Sequence, residues 1–245
     1  MSETPEPNRP ADGGSSESVK TRVILLAGGR GRRLGGANKA LLRRRLPDQT
    51  SGVPGTDGPA MTLLSQWCSA LAARGVSGVV VGEPALDQHL TPAASALLRV
   101  VQEDPPFSGP AAAVCAGVRA LPAENQNNDG STGGPWEQVL LSAVDIAEPD
   151  PLLGWLLDNA SQALAEPGQV GLLPHDGQGR AQWLASVISA GWLRRRVAMI
   201  PPGAEQGASL RWLLSTAPLR HLRMPPHLGC DIDDADQARR FGIQL

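Results

Sequence analysis

Residues 26–42, LAGGRGRRLGGANKALL, concentrate glycine and cations in a pattern suited to holding phosphate. Glycine has no Cβ, so backbone N–H groups at Gly28 and Gly29 can face an anion closely. Arg33 offers a planar fork for non-bridging oxygens. Lys39 supplies a point charge where a departing pyrophosphate would gather negative charge. Two common phosphate loops are excluded. Lys39 lies between Asn38 and Ala40, so the Gly-Lys-Ser/Thr ending of a Walker A loop is missing, and Leu34 stands where a dinucleotide fingerprint needs its third glycine. A solvated basic face is the competing reading. The tight succession of apolar run and glycines favours the anion site.

Carboxylates recur at matching places. Asp104 closes the run LLRVVQED, and Asp145 follows VLLSAV. For Asp145 the alternative is a turn or helix-start acid; its place at a strand end favours a ligand role. For Asp104 a turn before Pro105-Pro106 is as good a reading. Asp231-Ile232-Asp233 precedes a terminal helix, so Asp231 or Asp234 can serve as a cap. Arg194–Arg196 and Arg211 read as a solvated helix face; the resemblance drawn below also makes them, with Arg180 and Gln182, candidates on the acceptor side. The six Trp read as packing residues and His175 as a turn residue.

These residues need elements to hold them. RVILLA (22–27), SGVVVG (77–82), LLRVVQED (97–104) and EQVLLSAVDIAEPD (137–150) read as buried strands. Helices are expected over 60–75, with Gly75 just past the end, over 109–121 with small residues on the packing face, and over 151–164 with Pro151 in the first turn. QVGLLP, WLASVIS and LRHLRM follow as apolar runs, with helices near 190–199 and 207–216 and from about Asp234. Residues 46–59 and 122–135 are loop chemistry. Strand–helix alternation predicts a three-layer α/β/α sandwich with a Rossmann-like, mainly parallel sheet, its ligands beyond the carboxyl ends of the strands.

The chain has 245 residues, room for one large domain and a full core. Gly and Pro make up about a fifth of it, which implies many loops. Net charge is −2, yet residues 22–45 carry Arg22, Arg30, Arg32, Arg33, Lys39, Arg43, Arg44 and Arg45 with no acid. That asymmetry suits a small anion. With two Phe and no Tyr, stacking on single-stranded nucleic acid is not expected. No apolar run is long enough for a membrane span. Residues 1–20 lack a signal-peptide pattern and read as a disordered tail. Three scattered Cys and four scattered His give no zinc spacing and are consistent with reduced thiols in a cytoplasmic protein.

LAGG-x3-R-x-GG-x2-K resembles the signature of the molybdenum cofactor guanylyltransferases, within the wider nucleotidyltransferase family. Residues 58–82 resemble that family's GxPLL helix and following VVV strand, and EDPPFSGPAAAVCAG (103–117) its ED…GPLAG segment. VLLSAVDIAEPDPLL (139–153) resembles its strand ending in an aspartate, DGQGRAQWLASVI (176–188) its acceptor-side segment, and CDIDDADQARR (230–240) its closing stretch. The resemblance implies one nucleotidyltransferase domain over 21–245 of the nucleotide-diphospho-sugar transferase type, with 22–150 binding nucleotide and 151–245 the acceptor. It implies transfer of GMP from GTP to the terminal phosphate of molybdopterin, releasing pyrophosphate. Leu26, Ala27, Gly28 and Gly29 would contact the nucleotide, Arg33 and Lys39 its phosphates, Asp104 the guanosine side, and Asp145 would hold Mg²⁺. Asp233 could complete that metal site. Departures are Asn38 before the lysine, Gly82 where the family often has Asn, and an atypical segment after Asp145. Alternatives are a cytidylyltransferase on molybdopterin or methylerythritol phosphate, a sugar-phosphate or phospholactate enzyme, and a nucleotide-binding module without catalysis.

Overall fold

A computed structural model describes residues 20–29, 36–47, 57–122 and 137–244. Val23, Ile24 and Leu25 are wholly buried in β1 (Thr21–Leu26), because both faces of this central strand are covered. After a 3-10 turn at Lys39–Leu41 come β2 (Arg43–Pro47), β3 (Asp57–Thr62) and α1 (Leu63–Ala73), whose first turn is capped by the Thr62 hydroxyl. β4 (Ser77–Val81), a 3-10 turn at Pro84–His89, α2 (Pro92–Ser95), β5 (Leu98–Val101) and α3 (Pro110–Ala120) follow. Then come β6 (Gln138–Ala143), α4 (Pro149–Ala165), β7 (Gly171–His175), β8 (Ala185–Ser189), α5 (Ala190–Ala198) and α6 (Leu210–Leu214). β9 (Arg220–Arg223), α7 (Ala235–Arg240) and β10 (Ile243–Gln244) complete the chain.

The main sheet has the order β5-β4-β1-β6-β8-β7-β9. β8 runs antiparallel to both its neighbours; all the other pairings are parallel. One face packs on α1 and α4, where Trp67, Leu152, Leu153 and Leu156 are fully buried. Each such leucine contributes about 2 kcal/mol of hydrophobic stabilisation. The other face packs on α3, α5 and α6. α3 lies so close to β1 that a Cβ on Gly117 would stand 2.6 Å from Ile24 Cγ2, which explains its small packing face. The three-layer sandwich with a mainly parallel sheet is therefore present.

Several boundaries differ from those expected. Residues 60–62 are strand, since β3 pairs with β2 and β10 in a second, three-stranded antiparallel sheet. Arginine-rich β2 and the two-residue β10 carry no strand period, so neither was legible. The long acid-ended runs shorten to β5 and β6, because pairing stops where the chain turns toward the cleft. Pro149, not Pro151, opens α4 after its N-cap at Glu148, and the expected 207–216 helix contracts to α6. Gly75 lies just past α1 at φ 62, as anticipated. Cys68 and Cys115 are buried free thiols that burial pushes up to about 11, whereas Cys230 is half-exposed. Trp67 is packing as expected; Trp212 is 37% exposed beneath the Arg196 guanidinium. The expected tail, apart from Lys20, and most of both loops lie outside the described residues. No helix among the described residues is long and apolar enough to cross a membrane.

Candidate active site

The backbone ladder continues past β1. Ala27 N–H donates to Val81 O at 2.8 Å, and Val144 N–H donates to Leu26 O at 2.9 Å. Gly28 and Gly29 therefore emerge between β4 and β6, where successive connections turn to opposite sides of β1. Such a switch point opens a crevice at the carboxyl ends of the strands. Here it is a cleft of about 680 Å³ lined by Gly28, Gly29, Lys39, Glu103, Phe107 and Asp145, among others. A Cβ on Gly29 would meet nothing within 4 Å among the described residues, and Gly29 lines the cleft. Gly82 is different. A Cβ there would stand 2.9 Å from Leu86 Cδ1 and 3.2 Å from the Ala27 carbonyl carbon. Packing of the buried Leu86 thus accounts for glycine where the resemblance expects Asn.

Lys39 opens its 3-10 turn because the Asn38 carboxamide oxygen accepts the Ala40 N–H at 3.0 Å. Across the cleft, Asp145 follows β6 directly. Its carbonyl accepts Ile232 N–H at 3.0 Å, and Cys230 O accepts Ala147 N–H at 3.0 Å, so residues 230–232 are laced to the Asp145 turn. Asp234 then caps α7 in a capping box with Gln237, whose side chain also accepts the Asp233 N–H at 2.7 Å. The cap role at this junction falls to Asp234, which leaves the Asp233 carboxylate to meet Lys39.

The outcome is a charge cluster. Lys39 Nζ donates to Asp145 Oδ2 and to Asp233 Oδ1, at 2.7 Å each. Desolvation alone would lower the Lys39 ammonium, but the pull of Asp145 and then Asp233 outweighs it and holds the group above its ordinary value. Asp231 stands nearby. Though exposed over much of its surface, it is pushed up to about 7, first by desolvation and then by the negative charge of Asp145 and Asp233.

Two carboxylate oxygens within reach of one cation form a hard-oxygen donor set that fits a magnesium ion, which takes one or two carboxylates and completes its shell with phosphate oxygens and water. Among the described residues, no three or more His, Cys, Asp or Glu form a self-sufficient metal cage. The arrangement suits a metal that arrives with a polyphosphate.

A third element closes the cleft. Glu103 is 7% exposed, and its Oε1 accepts the Phe107 N–H at 3.0 Å. This contact supports Phe107 at φ 62, a costly backbone conformation for a bulky residue and one concentrated at functional sites. Phe107 is 38% exposed at the cleft.

Of the residues expected from sequence, Leu26, Gly28, Gly29, Lys39 and Asp145 line the cleft, Ala27 is buried beside it, and Asp233 joins through Lys39. Asp104 is exposed and is not among the lining residues; its neighbour Glu103 is. Arg33 lies outside the described residues. Arg22 is buried near the amino end of β1, bonded to Ser77, and Arg44 donates to Ala147 O at 2.6 Å, so neither belongs to the phosphate site. Arg180 and Gln182 both donate to Asp176, and Arg211 lines a separate cavity. Arg194 and Arg196 donate to the Pro122 and Leu213 carbonyls. Sequence reasoning passed over Glu103 and Phe107 and gave Asp231 only a cap, although the ED pair and the D-I-D spacing were in view.

The model of the MobA-like NTP transferase domain matches residues 23–218, from β1 to just before β9. The chain belongs to this family. Among solved structures, the MobA-like chain is similar to Rv0371c from Mycobacterium tuberculosis H37Rv, with 18% identity, 91% of this chain and 97% of that one covered, and a TM-score of 0.55. It is similar to a nucleotidyl transferase from Methanothermobacter thermautotrophicus at 19% identity, 91% and 96% coverage and a TM-score of 0.54. A 4-diphosphocytidyl-2C-methyl-D-erythritol synthase from Anaerococcus prevotii DSM 20548 shares 8% identity over 92% and 98% of the two chains, with a TM-score of 0.54. At these identities the likeness establishes a shared fold. No curated protein matches the chain in sequence. The MobA-like chain is thus a nucleotidyltransferase by family, and Lys39 and Asp145 line its cleft.

Proposed function

We propose that this chain transfers GMP from GTP to the terminal phosphate of molybdopterin, releasing pyrophosphate, in the cytoplasm. The observation that carries the reading is the meeting of Lys39, Asp145 and Asp233 at the carboxyl edge of β1 and β6, beside a glycine-floored cleft. The acceptor phosphate is already anionic near neutral pH, so the reaction needs little general-base assistance. Positioning and charge neutralisation do most of the work. Gly28 and Gly29 leave room for backbone N–H groups to approach the triphosphate. Lys39, with Arg33 of the same glycine-rich segment, neutralises the leaving pyrophosphate. Asp145 and Asp233 would hold Mg²⁺, which supplies charge neutralisation at the reacting phosphates when bound. Glu103 and Phe107 shape the wall beside the nucleotide, in the place the resemblance gives to Asp104.

The test uses purified protein with Mg²⁺, molybdopterin and each of GTP, CTP, ATP and UTP, reading pyrophosphate release and dinucleotide formation. Release with GTP alone supports the proposal. Release with CTP alone moves the reading to a cytidylyltransferase, a live question because Gly82 offers no side chain to a base. Nucleotide binding without release from any nucleotide overturns the enzymatic reading in favour of a binding module.

A further inference from the structure

One wall of the cleft is the turn that enters α3, where Pro106, Phe107, Gly109, Pro110 and Ala113 line the space without a charged side chain. From inside the turn, Glu103 holds the Phe107 N–H. From outside, the turn is held by residues 203–208, between α5 and α6. Gly207 N–H donates to Ser108 O at 2.7 Å. Ala111 N–H, an orphan donor of the first helical turn, donates to Ala208 O at 3.3 Å. Gly109, at φ 97, offers no side chain to cap the helix. A Cβ there would stand 3.6 Å from Ala208 O and from Gly207 Cα, so the two segments lie backbone against backbone.

The outer segment has a single anchor of its own. Its backbone makes three successive turns, from Ala204 N–H to Pro201 O, Gln206 N–H to Gly203 O and Ala208 N–H to Glu205 O. Glu205 is the one buried residue from 201 to 209. Its Oε1 accepts from Arg119 Nη1 at 2.9 Å, in the last turn of α3. The segment is thus tied to both ends of α3, by Glu205 at the carboxyl end and by Gly207 and Ala208 at the amino end. Stability is a poor reason for this glutamate. The Arg119 side chain is half-exposed, and Glu205 Oε2 is buried with no hydrogen-bond partner among the described residues. An ion pair so placed adds little net stability, and an apolar side chain would fill the position better. What the pair does fix is where the segment lies along α3.

We propose that Glu205 is a positioning residue for nucleotide binding: tied to Arg119, it seats residues 203–208 on α3 and so sets the Phe107–Pro110 wall of the cleft. The inference rests on the reading of this cleft as the nucleotide site. Lys39, Asp145 and Asp233 stand on other elements, so the grip on the nucleotide depends on Glu205 and the metal-holding carboxylates do not.

The test compares the full-length wild type with Glu205→Gln, which keeps the size and removes the charge, with Arg119→Gln, and with the double variant. Each of GTP, CTP, ATP and UTP with Mg²⁺ is titrated by calorimetry. The affinity for whichever nucleotide the wild type binds is expected to weaken about fivefold or more in either single variant, with no further loss in the double. Mn²⁺ binding by the nucleotide-free protein is expected to be unchanged. Hydrogen exchange supplies a readout that needs no nucleotide. The Phe107, Ala111 and Gly207 amides should exchange faster in Glu205→Gln while those of β1 do not; a merely structural role would speed both. Arg119→Gln, at a half-exposed position, carries the same test should Glu205→Gln fail to fold. Unchanged nucleotide affinity, or uniformly faster exchange, overturns the proposal. The two readings fail separately. Nucleotide binding with unaltered exchange at Phe107 and Ala111 leaves the nucleotide site and sinks the role of Glu205. Selectively faster exchange there, in a protein that binds no nucleotide, leaves Glu205 holding the wall and sinks the nucleotide reading.

Discussion

Replacing Lys39 by Met should strengthen divalent-metal binding by the nucleotide-free protein while weakening catalysis. The ammonium sits 2.7 Å from one oxygen each of Asp145 and Asp233, the two groups assigned to the metal. A metal arriving without nucleotide therefore competes with a resident cation. The size of that competition follows from exposure. At an effective dielectric near 20, two unit charges about 4 Å apart interact by roughly 4 kcal/mol. The Asp233 side chain is 50% exposed, against 20% for Asp145 and 13% for Lys39, so solvent and the cost of desolvating Lys39 cancel most of this. A net contribution of about 1–2 kcal/mol remains, equivalent to roughly a tenfold change in affinity. Methionine keeps the length and apolar stem and removes the charge. Titration of Mn²⁺ followed by electron paramagnetic resonance should show about tenfold tighter binding in Lys39→Met, and no gain when Asp145→Asn is added. Turnover should fall by about a hundredfold or more if, as proposed, the same residue neutralises the leaving pyrophosphate. Unchanged or weaker Mn²⁺ binding in Lys39→Met would refute the reasoning.

Other outcomes are accessible to the same protein. Asp145→Asn should reduce turnover by about a thousandfold while shifting the melting temperature by only a few degrees, since a carboxylate at a strand end adds little to the core; near-normal pyrophosphate release would remove it from the site. Gly117→Val should destabilise by about 1–3 kcal/mol, read as a fall in the urea midpoint, because even the first added carbon meets Ile24 Cγ2 at 2.6 Å. Asp231 gives a pH signature. Its carboxyl is pushed from an ordinary 3.8 to about 7 in the folded, metal-free protein, so the folded state holds the extra proton between those values. This group therefore stabilises the fold at low pH and loses that contribution as pH rises from about 4 toward 7, the reverse of an ordinary paired carboxylate. Melting temperatures across that range should fall less steeply in Asp231→Asn than in wild type; identical profiles would mean that Asp231 does not feel its neighbours.

The strand ends around the cleft were largely legible because each part has a local signature. A continuous apolar run, two glycines, then a cation identify the end of β1, and the acid after VLLSAV marks the end of β6. Neither requires knowledge of a distant partner. The Lys39–Asp233 contact spans 194 residues, and only the closing stretch of the resemblance suggested it. Glu103 was passed over for Asp104 because adjacent acids cannot be ranked without knowing which one the turn directs inward. Arg22 and Arg44 counted toward a basic patch by proximity in sequence, yet one is buried at the opposite end of its strand and the other supports the Asp145 turn. β2 and β10 lacked a readable period because their identity as strands comes from pairing with each other and β3 across most of the chain.

Specificity for the acceptor is the least local property of all. The glycine–cation segment suits groups common to every nucleoside triphosphate, so its chemistry can be read from a short run. The cavity beside α6 is assembled from β7, the 181–184 segment, α6 and β9, four pieces with no common motif. His175 and His221 are 46 residues apart and meaningless singly; paired, they fix a tautomer. Arg196 looks like any solvated arginine until its bond to the Leu213 carbonyl is seen. These contacts join residues whose partners are visible only in three dimensions.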